Sequence, residues 1–405
     1  MKFKHKHMKF EILGASLVAI LANAPHVYGK SDVVSKVVAG YQGWFTCPGS
    51  SDPVQTWVHW GKNDSVPSFE LWPDVREYTN LYDWGQSKLG NGKQAQLFSS
   101  YDDQTIDTHF KWMSEYGIDT AAVQRFGTHV DGGLNQEHLD GIFAKAANYS
   151  EKHGIKYYNE WDISGWTNFT TALPNDWETT VKKFTENKSY ARHNGKPIVT
   201  VWGFAVSGRP GTGQDALNIV NYLKDQGAYV IVGSSMQWIN ATDYLEAFAA
   251  ADMVQPWNVG AFNTIQDVKN NLHVQANDTK WLTQHNTSYQ PVVFPGFSWH
   301  NLHAGPENQI PRLNGKFMWQ QYANMRQLGL SNVMIAMFDE YDEGTAIAKA
   351  AENATMAPTD HYYLTLDADG ESLSSDFYLR VAQDGGNMVK GKTRYTDQCP
   401  TKYRV

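Results

Sequence analysis

The feature that most constrains the fold is an alternation that repeats along the chain. Apolar, β-branched or aromatic runs of strand length occupy residues 37–45, 119–126, 156–162, 197–204, 228–234, 253–257, 291–297 and 332–340. Between them, helical periodicity with polar faces predicts helices over 103–116, 136–153, 176–193, 214–226, 241–250 and 308–328. Gly117 and Gly154 stand at predicted helix ends directly before the next strand, where a left-handed cap is needed. Repeated βα units without a low-complexity linker predict an α/β fold, a single (β/α)8 TIM barrel, with 94–99 as a ninth, weaker strand run. A doubly wound open sheet would place a glycine-rich phosphate turn after the first strand, and Gly40, Gly43, Gly49 and Gly61 do not form one.

The two ends differ from the barrel. Lys2, Lys4, Lys6 and Lys9 precede an apolar stretch over 12–22, and Ala22-Asn23-Ala24 supplies a small-x-small cleavage pattern. We therefore expect residues 1–24 to be a signal peptide, the barrel to span 30–356, and 357–405 to form a C-terminal extension packed on it. The extension reads as a short strand over 362–367, a turn at 367–370, and a strand or short helix over 375–382. Asp367-Ala-Asp-Gly370 lacks the third acidic ligand and closing Glu of a calcium loop. The leader implies a secreted, extracellular protein. Its apolar stretch is too short to span a bilayer, so no membrane anchor is expected. Asn-x-Ser/Thr acceptors at Asn63, Asn148, Asn168, Asn187, Asn240, Asn277, Asn286 and Asn353 suit a glycoprotein. In an oxidising compartment Cys47 and Cys399 are expected to form a disulfide, the alternative being two free thiols.

Composition narrows the partner. Charged residues make up 19% of the chain, aromatics 13% with 15 Trp, and the formal charge is −8. Such a chain is globular rather than disordered, and it lacks the basic face that nucleic acid requires. A monomer without a cofactor or metal is expected.

In a TIM barrel the active site lies at the C-terminal strand ends. There the sequence places Trp44, Arg125, Glu160, Trp202, Trp257, Trp299 with His300, and the run Asp339-Glu340-Tyr341-Asp342-Glu343. Aromatic faces suit the apolar faces of pyranose rings, and carboxylates suit sugar hydroxyls and proton transfer, so a carbohydrate cleft is expected. Four carboxylates in five positions repel one another, which raises at least one pKa and leaves a proton for general acid work. The three-residue spacing of Glu340 and Glu343 is compatible with either carboxylate separation used by glycosidases. The same oxygens are also consistent with a metal site or a merely solvated loop. For Arg125, a sugar contact competes with pairing to a carboxylate. For Trp299, a subsite wall competes with a cap on the core. No zinc-hydrolase helix or Gly-x-Ser-x-Gly elbow is present. Gly208-Arg-Pro-Gly-Thr-Gly213 lacks the Lys-Ser/Thr end of a phosphate loop and reads as a βα loop.

The run Phe338-Asp-Glu-Tyr-Asp-Glu-Gly-Thr345 resembles the Asn-Glu-Trp-x-Glu-Gly-Thr signature closing the last strand of glycoside hydrolase family 99, the endo-acting α-mannosidases. The related family 71, α-1,3-glucanases, belongs to the same wider group. Further similarity lies at Gly40-Tyr41-Gln-Gly-Trp44-Phe with His59-Trp60, at 116–121, at 152–156 and at 195–197. The resemblance implies a retaining glycoside hydrolase acting on a polysaccharide or oligosaccharide. It makes Glu340 the base toward the sugar's own 2-hydroxyl and Glu343 the general acid/base. It also implies sugar contacts for Tyr41, His59, Trp60, Glu160, Asp339 and Tyr341. Asp339 and Tyr341 depart from the family's Asn and Trp, which leaves the substrate open. The alternatives are a non-catalytic carbohydrate-binding barrel, and an esterase for which no nucleophile or metal constellation is found.

Overall fold

The structure, a computed structural model, describes residues 30–404. The expected signal peptide, 1–24, lies outside the described residues.

Eight parallel strand positions form the core. They are β1 (Val37–Tyr41), β2 (Thr120–Phe126), β3 (Lys156–Asp162), β4 (Lys196–Phe204), β5 (Tyr229–Ser235), β6 (Met253–Trp257), β7 (Ser288–Tyr289 with Val292–Val293) and β8 (Val333–Ile335). Neighbours in sequence are neighbours in the sheet. The barrel closes through β7, whose first half pairs with β6 and whose second half pairs with β8, which in turn pairs with β1. Pro291 divides β7 because it has no N–H for the ladder, yet its carbonyl still accepts from Met334. Every strand run read from the sequence is therefore a barrel strand, and the run at 94–99 lies outside, as Gln94–Leu97 in a hairpin with Tyr82–Lys88.

The outer layer is α1 (Asp103–Glu115), α2 (Gly133–His153), α3 (Phe169–Asp176, continued to Phe184), α4 (Gly213–Asp225), α5 (Leu245–Ala250), α6 (Leu272–Gln284), α7 (Lys316–Gln327) and α8 (Phe377–Val389). The left-handed caps are present, with φ +71° at both Gly117 and Gly154. The helix α8 comes from the C-terminal extension and completes the ring. Gly385 packs on the Tyr322 ring of α7, Gly386 lies on Val37 of β1, and Gln383 donates to the Glu115 carbonyl of α1. Residues 362–367 make one isolated bridge, Leu71 to Leu364, rather than a strand.

One helix expectation is corrected and one helix is added. The helix placed at 176–193 runs from Phe169 to Phe184, and Arg192–His193 instead pairs antiparallel with Lys196 and Pro197 across an Asn194-Gly195 turn, both at positive φ. The helix α6 went unread because its buried positions include Gln275 and Asp278, which erase the apolar period. The aromatic surplus is largely structural, since Trp60, Trp72, Trp84, Trp112, Trp161 and Trp319 are fully buried.

The disulfide is also corrected. Cys47 and Cys399 are free thiols. Cys47 is turned into the core, where its Sγ–H donates to the Phe98 carbonyl at 3.0 Å.

Candidate active site

A cavity of about 580 Å³ opens at the C-terminal ends of the strands. It is built from the ends of β1 (Gln42, Trp44), β2 (Gln124, Phe126), β3 (Glu160, Asp162), β4 (Trp202), β5 (Ser235) and β6 (Trp257), the loop after β7 (Phe297, Trp299), and the turn after β8 (Glu340, Glu343). All eight strand positions thus contribute to one concave wall, as the barrel geometry requires.

The acidic turn is held from three sides. Asp339 accepts the backbone N–H groups of Gln42 and Gly43, each at 2.8 Å, which ties the turn to the end of β1. Burial pushes its carboxyl up to about 7. Arg312 donates from Nη2 to the carbonyls of Gly344 and Ala346, each at 2.8 Å, just beyond the turn. Glu70 takes the Ser298 hydroxyl at 2.7 Å and the Asn301 N–H at 3.1 Å, and its own N–H donates to the Tyr341 carbonyl. That contact fixes the segment carrying Trp299.

The two glutamates of the turn are solvated differently. Oε1 of Glu340 accepts N–H groups from Asp342 (2.9 Å) and Glu343 (3.3 Å), and Oε2 accepts from Gln42 Nε2 (3.1 Å). Glu343 accepts a single bond, from the Trp299 indole at 3.2 Å. Burial raises both carboxyls, and for Glu340 the neighbouring Asp342 and Glu343 add to the rise. Donors aimed at Glu340 favour its ionised form and oppose that rise. Among the described residues Glu343 has only the indole to do so, while burial and the neighbouring acids raise Glu340 the further of the two.

Next to this pair, Asp342 Oδ2 lies 2.6 Å from His59 Nδ1. The shifts of the two groups favour a neutral pair over an ion pair. Burial, then Glu343, raises the aspartate, while burial and His138 lower the imidazole to about 3. A protonated Asp342 donating to neutral His59 satisfies both shifts. The His59 ring is stacked on Trp44 at 3.7 Å, and it lines a smaller hollow on the far side of that indole.

On the opposite wall, burial and the charge of Asp162 raise Glu160 to about 8. Its Oε2, together with Gln42 Oε1, Trp44 Nε1, Ser164 Oγ and Trp202 Nε1, has no hydrogen-bond partner among the described residues. These residues all line the cavity. Buried polar atoms are nearly always paired, so these five, all on residues lining one cavity, are candidates to meet a polar ligand there. Trp202, Trp257 and Trp299, the last 38% exposed, supply flat apolar faces between them.

Several residues expected at the site lie behind it. Tyr41 is buried and bonds His109 Nδ1, Trp60 donates to the Phe98 carbonyl from within the core, and the Tyr341 hydroxyl donates to the Lys349 carbonyl. His300 donates from Nδ1 to Gly305 O within its own loop. Of the two readings of Arg125, the structure shows the carboxylate pairing and not the sugar contact, though as an internal anchor rather than on the rim, 2% exposed and bidentate on Asp176 at 2.7 Å, with Asp140 also at 2.7 Å. Strand parity explains this, because Gln124 and Phe126 face the cavity and Arg125 between them must face the helices. Parity on β3 likewise sends Glu160 and Asp162 inward and Trp161 outward onto Asp176. Among the described residues no cluster of His, Cys, Asp and Glu is arranged to hold a metal ion.

Two expected results follow from this geometry. Trp299→Phe removes the indole bond that stabilises the Glu343 carboxylate, so the alkaline limb of the activity–pH profile moves to higher pH. An unmoved limb would show that the bond does not tune Glu343. For Glu160, a folded pKa near 8 lies above the unfolded carboxylate value, so its contribution to stability is full below about 4.3 and is lost as pH rises toward 8. The melting temperature is expected to fall over that window and to fall less in Glu160→Gln, as calorimetry at several pH values would show.

No protein-family model matches the chain, and no curated protein matches it in sequence. Solved structures do match. The fold is similar to that of the GH99 endo-α-mannosidase of Bacteroides thetaiotaomicron in complex with bis-tris-propane, with a TM-score of 0.65 and 16% identity over 89% of this chain and 98% of that one. A second structure of the GH99 endo-α-mannosidase from this organism gives 0.62 and 17% over 89% and 99%. A glycoside hydrolase-like protein gives 0.54 and 15% over 89% and 96%. The family whose signature the acidic turn resembles is thus also one whose structures share this (β/α)8 fold over nearly their whole length.

Proposed function

We propose that this protein is a secreted glycoside hydrolase that cleaves an α-linked polysaccharide or oligosaccharide with retention of configuration. The observation that carries the reading is the unequal solvation of Glu340 and Glu343 on one wall of a sugar-sized cavity ringed by unpaired polar atoms and Trp faces. A carboxylate held by three N–H donors suits a base, and a buried carboxyl with one donor suits an acid. Glu340 takes the proton of the sugar 2-hydroxyl, whose oxygen attacks the anomeric carbon. The bond to the leaving oxygen breaks as Glu343 protonates it. Glu343, now a carboxylate, takes a proton from water, the water oxygen opens the anhydro ring at the anomeric carbon, and the 2-oxygen recovers its proton from Glu340. Trans placement of the 2-oxygen and the leaving group, as in an α-mannoside, suits this path. The matching enzymes are named endo-α-mannosidases, which makes α-mannan the first substrate to try.

Secretion is supported by exposed sequon asparagines, among them Asn63, Asn148, Asn168 and Asn277. No helix among the described residues is long and apolar enough to cross a membrane. The test is a panel of α-mannan, α-1,3-glucan, xylan, arabinan and β-glucan, with products read by mass. Oligosaccharides from an α-linked member are expected. Binding without cleavage would instead assign a carbohydrate-binding barrel.

A further inference from the structure

The loop between β4 and α4 holds an arginine unlike the others near the barrel mouth. Arg125 and Arg312 direct their guanidinium groups to protein acceptors. Arg209 is exposed and lines the cavity beside Trp202, with its guanidinium carbon 5.4 Å from the indole centroid. Among the described residues its side chain makes no hydrogen bond or ion pair. Asp162, on the same wall, feels the Arg209 charge, which offsets part of the rise its burial causes, but its oxygens bond other groups, Oδ1 taking the Ser164 N–H at 2.7 Å and Oδ2 taking Gln124 Nε2 at 3.1 Å.

The loop aims this side chain. Gly203, at φ +120°, leaves room for Ile163 and for the Arg209 stem, since a Cβ there would lie 2.7 Å from Ile163 Cγ1 and 3.7 Å from Arg209 Cγ. The Arg209 N–H closes a turn onto the Val206 carbonyl at 3.1 Å. The N-terminus of α4, next along the chain, is no competing anion receptor. Thr212 and Asp215 cap it reciprocally, which uses two of its N–H donors and places a negative charge there. A planar cation with its donors free, stacked on an aromatic face at the edge of a glycan cavity, matches a sugar ring that bears an anion.

We infer that Arg209 is the receptor for an anionic substituent, a carboxylate or a phosphate, on a glycan unit stacked against Trp202, so that the preferred substrate is an acidic rather than a neutral glycan. This rests on the glycan reading of the cavity given above. Uronate-bearing, phosphate-bearing and neutral forms of one α-linked oligosaccharide are titrated by calorimetry into the Glu343→Gln protein, with and without Arg209→Gln, at about 20 and about 300 mM salt. At low salt an acidic form is expected to bind about tenfold more tightly than the neutral one. The advantage shrinks at high salt and disappears in Arg209→Gln, and the tighter of the two acidic forms identifies the substituent. Equal affinities with Arg209 present, an advantage that survives its replacement, or no binding of any form overturns the inference. Its failure is separable from that of the glycosidase reading. Cleavage of the neutral glycan by the wild type without acid preference removes only the inference, whereas Arg209-dependent binding with no cleavage of any form removes only the hydrolase.

Discussion

Replacing Glu343 by Gln is expected to lower turnover of the natural glycan by about 10³-fold while leaving the fold intact. The variant keeps an acceptor for the Trp299 indole, and it removes a buried carboxyl that raises the pKa of both Glu340 and Asp342. Its melting temperature is therefore expected to equal or exceed that of the wild type, since a site built from crowded carboxyls is held at a cost to stability. Loss of a general acid matters most when the leaving group is poor. An aryl α-glycoside with an acidic phenol should recover much of its rate of bond cleavage in Glu343→Gln and none in Glu340→Gln, which loses the base. Stopped-flow release of the phenol measures both. Equal losses on activated and natural substrates would reverse or void the two roles.

Replacing Arg125 by Met is expected to cost about 3–5 kcal/mol of stability. The guanidinium is 2% exposed, and it neutralises Asp176, a carboxylate 3% exposed that also accepts the Trp161 indole. Without it a charge is left buried on α3 against β3. Urea unfolding should show the loss, and Arg125→Met with Asp176→Asn should be less destabilised than Arg125→Met alone. If Arg125 contacted sugar instead, KM would rise and the urea midpoint would stay near that of the wild type.

Arg125 also shows where sequence reasoning stops. Its place at a strand end made it a rim candidate, but only the side on which Gln124 and Phe126 fall decides that it faces helices. The barrel strands were legible because strands covered on both faces are continuous apolar runs, and glycine caps mark where each begins. The helix α6 was not, because it buries Gln275 and Asp278. The Asn194-Gly195 turn was a hairpin signal in plain view within a segment read as helix. At the site, Glu340 and Glu343 were conspicuous because carboxylates so close in sequence are costly, and the structure puts both on the cavity wall. Gln42, Gln124 and Ser164 carry no such signature, as neutral polar residues resemble any loop. Asp162 stands with Glu160 at the same strand end, and the i, i+2 parity is what sends both inward. Glu70 acts on the site through Ser298 and Asn301, far from it in sequence, and no local pattern announces such a contact.

Glu340 and Glu343 are proposed to cleave an α-glycosidic bond in this cavity by a retaining path. Proton NMR of the anomeric signal, recorded from the first minutes of hydrolysis by the wild-type protein, tests it most directly. The α-anomer of the new reducing end is expected to appear first and then to mutarotate to the equilibrium mixture. First appearance of the β-anomer would contradict it, because inversion requires direct attack by water and leaves no step for the 2-hydroxyl and its base.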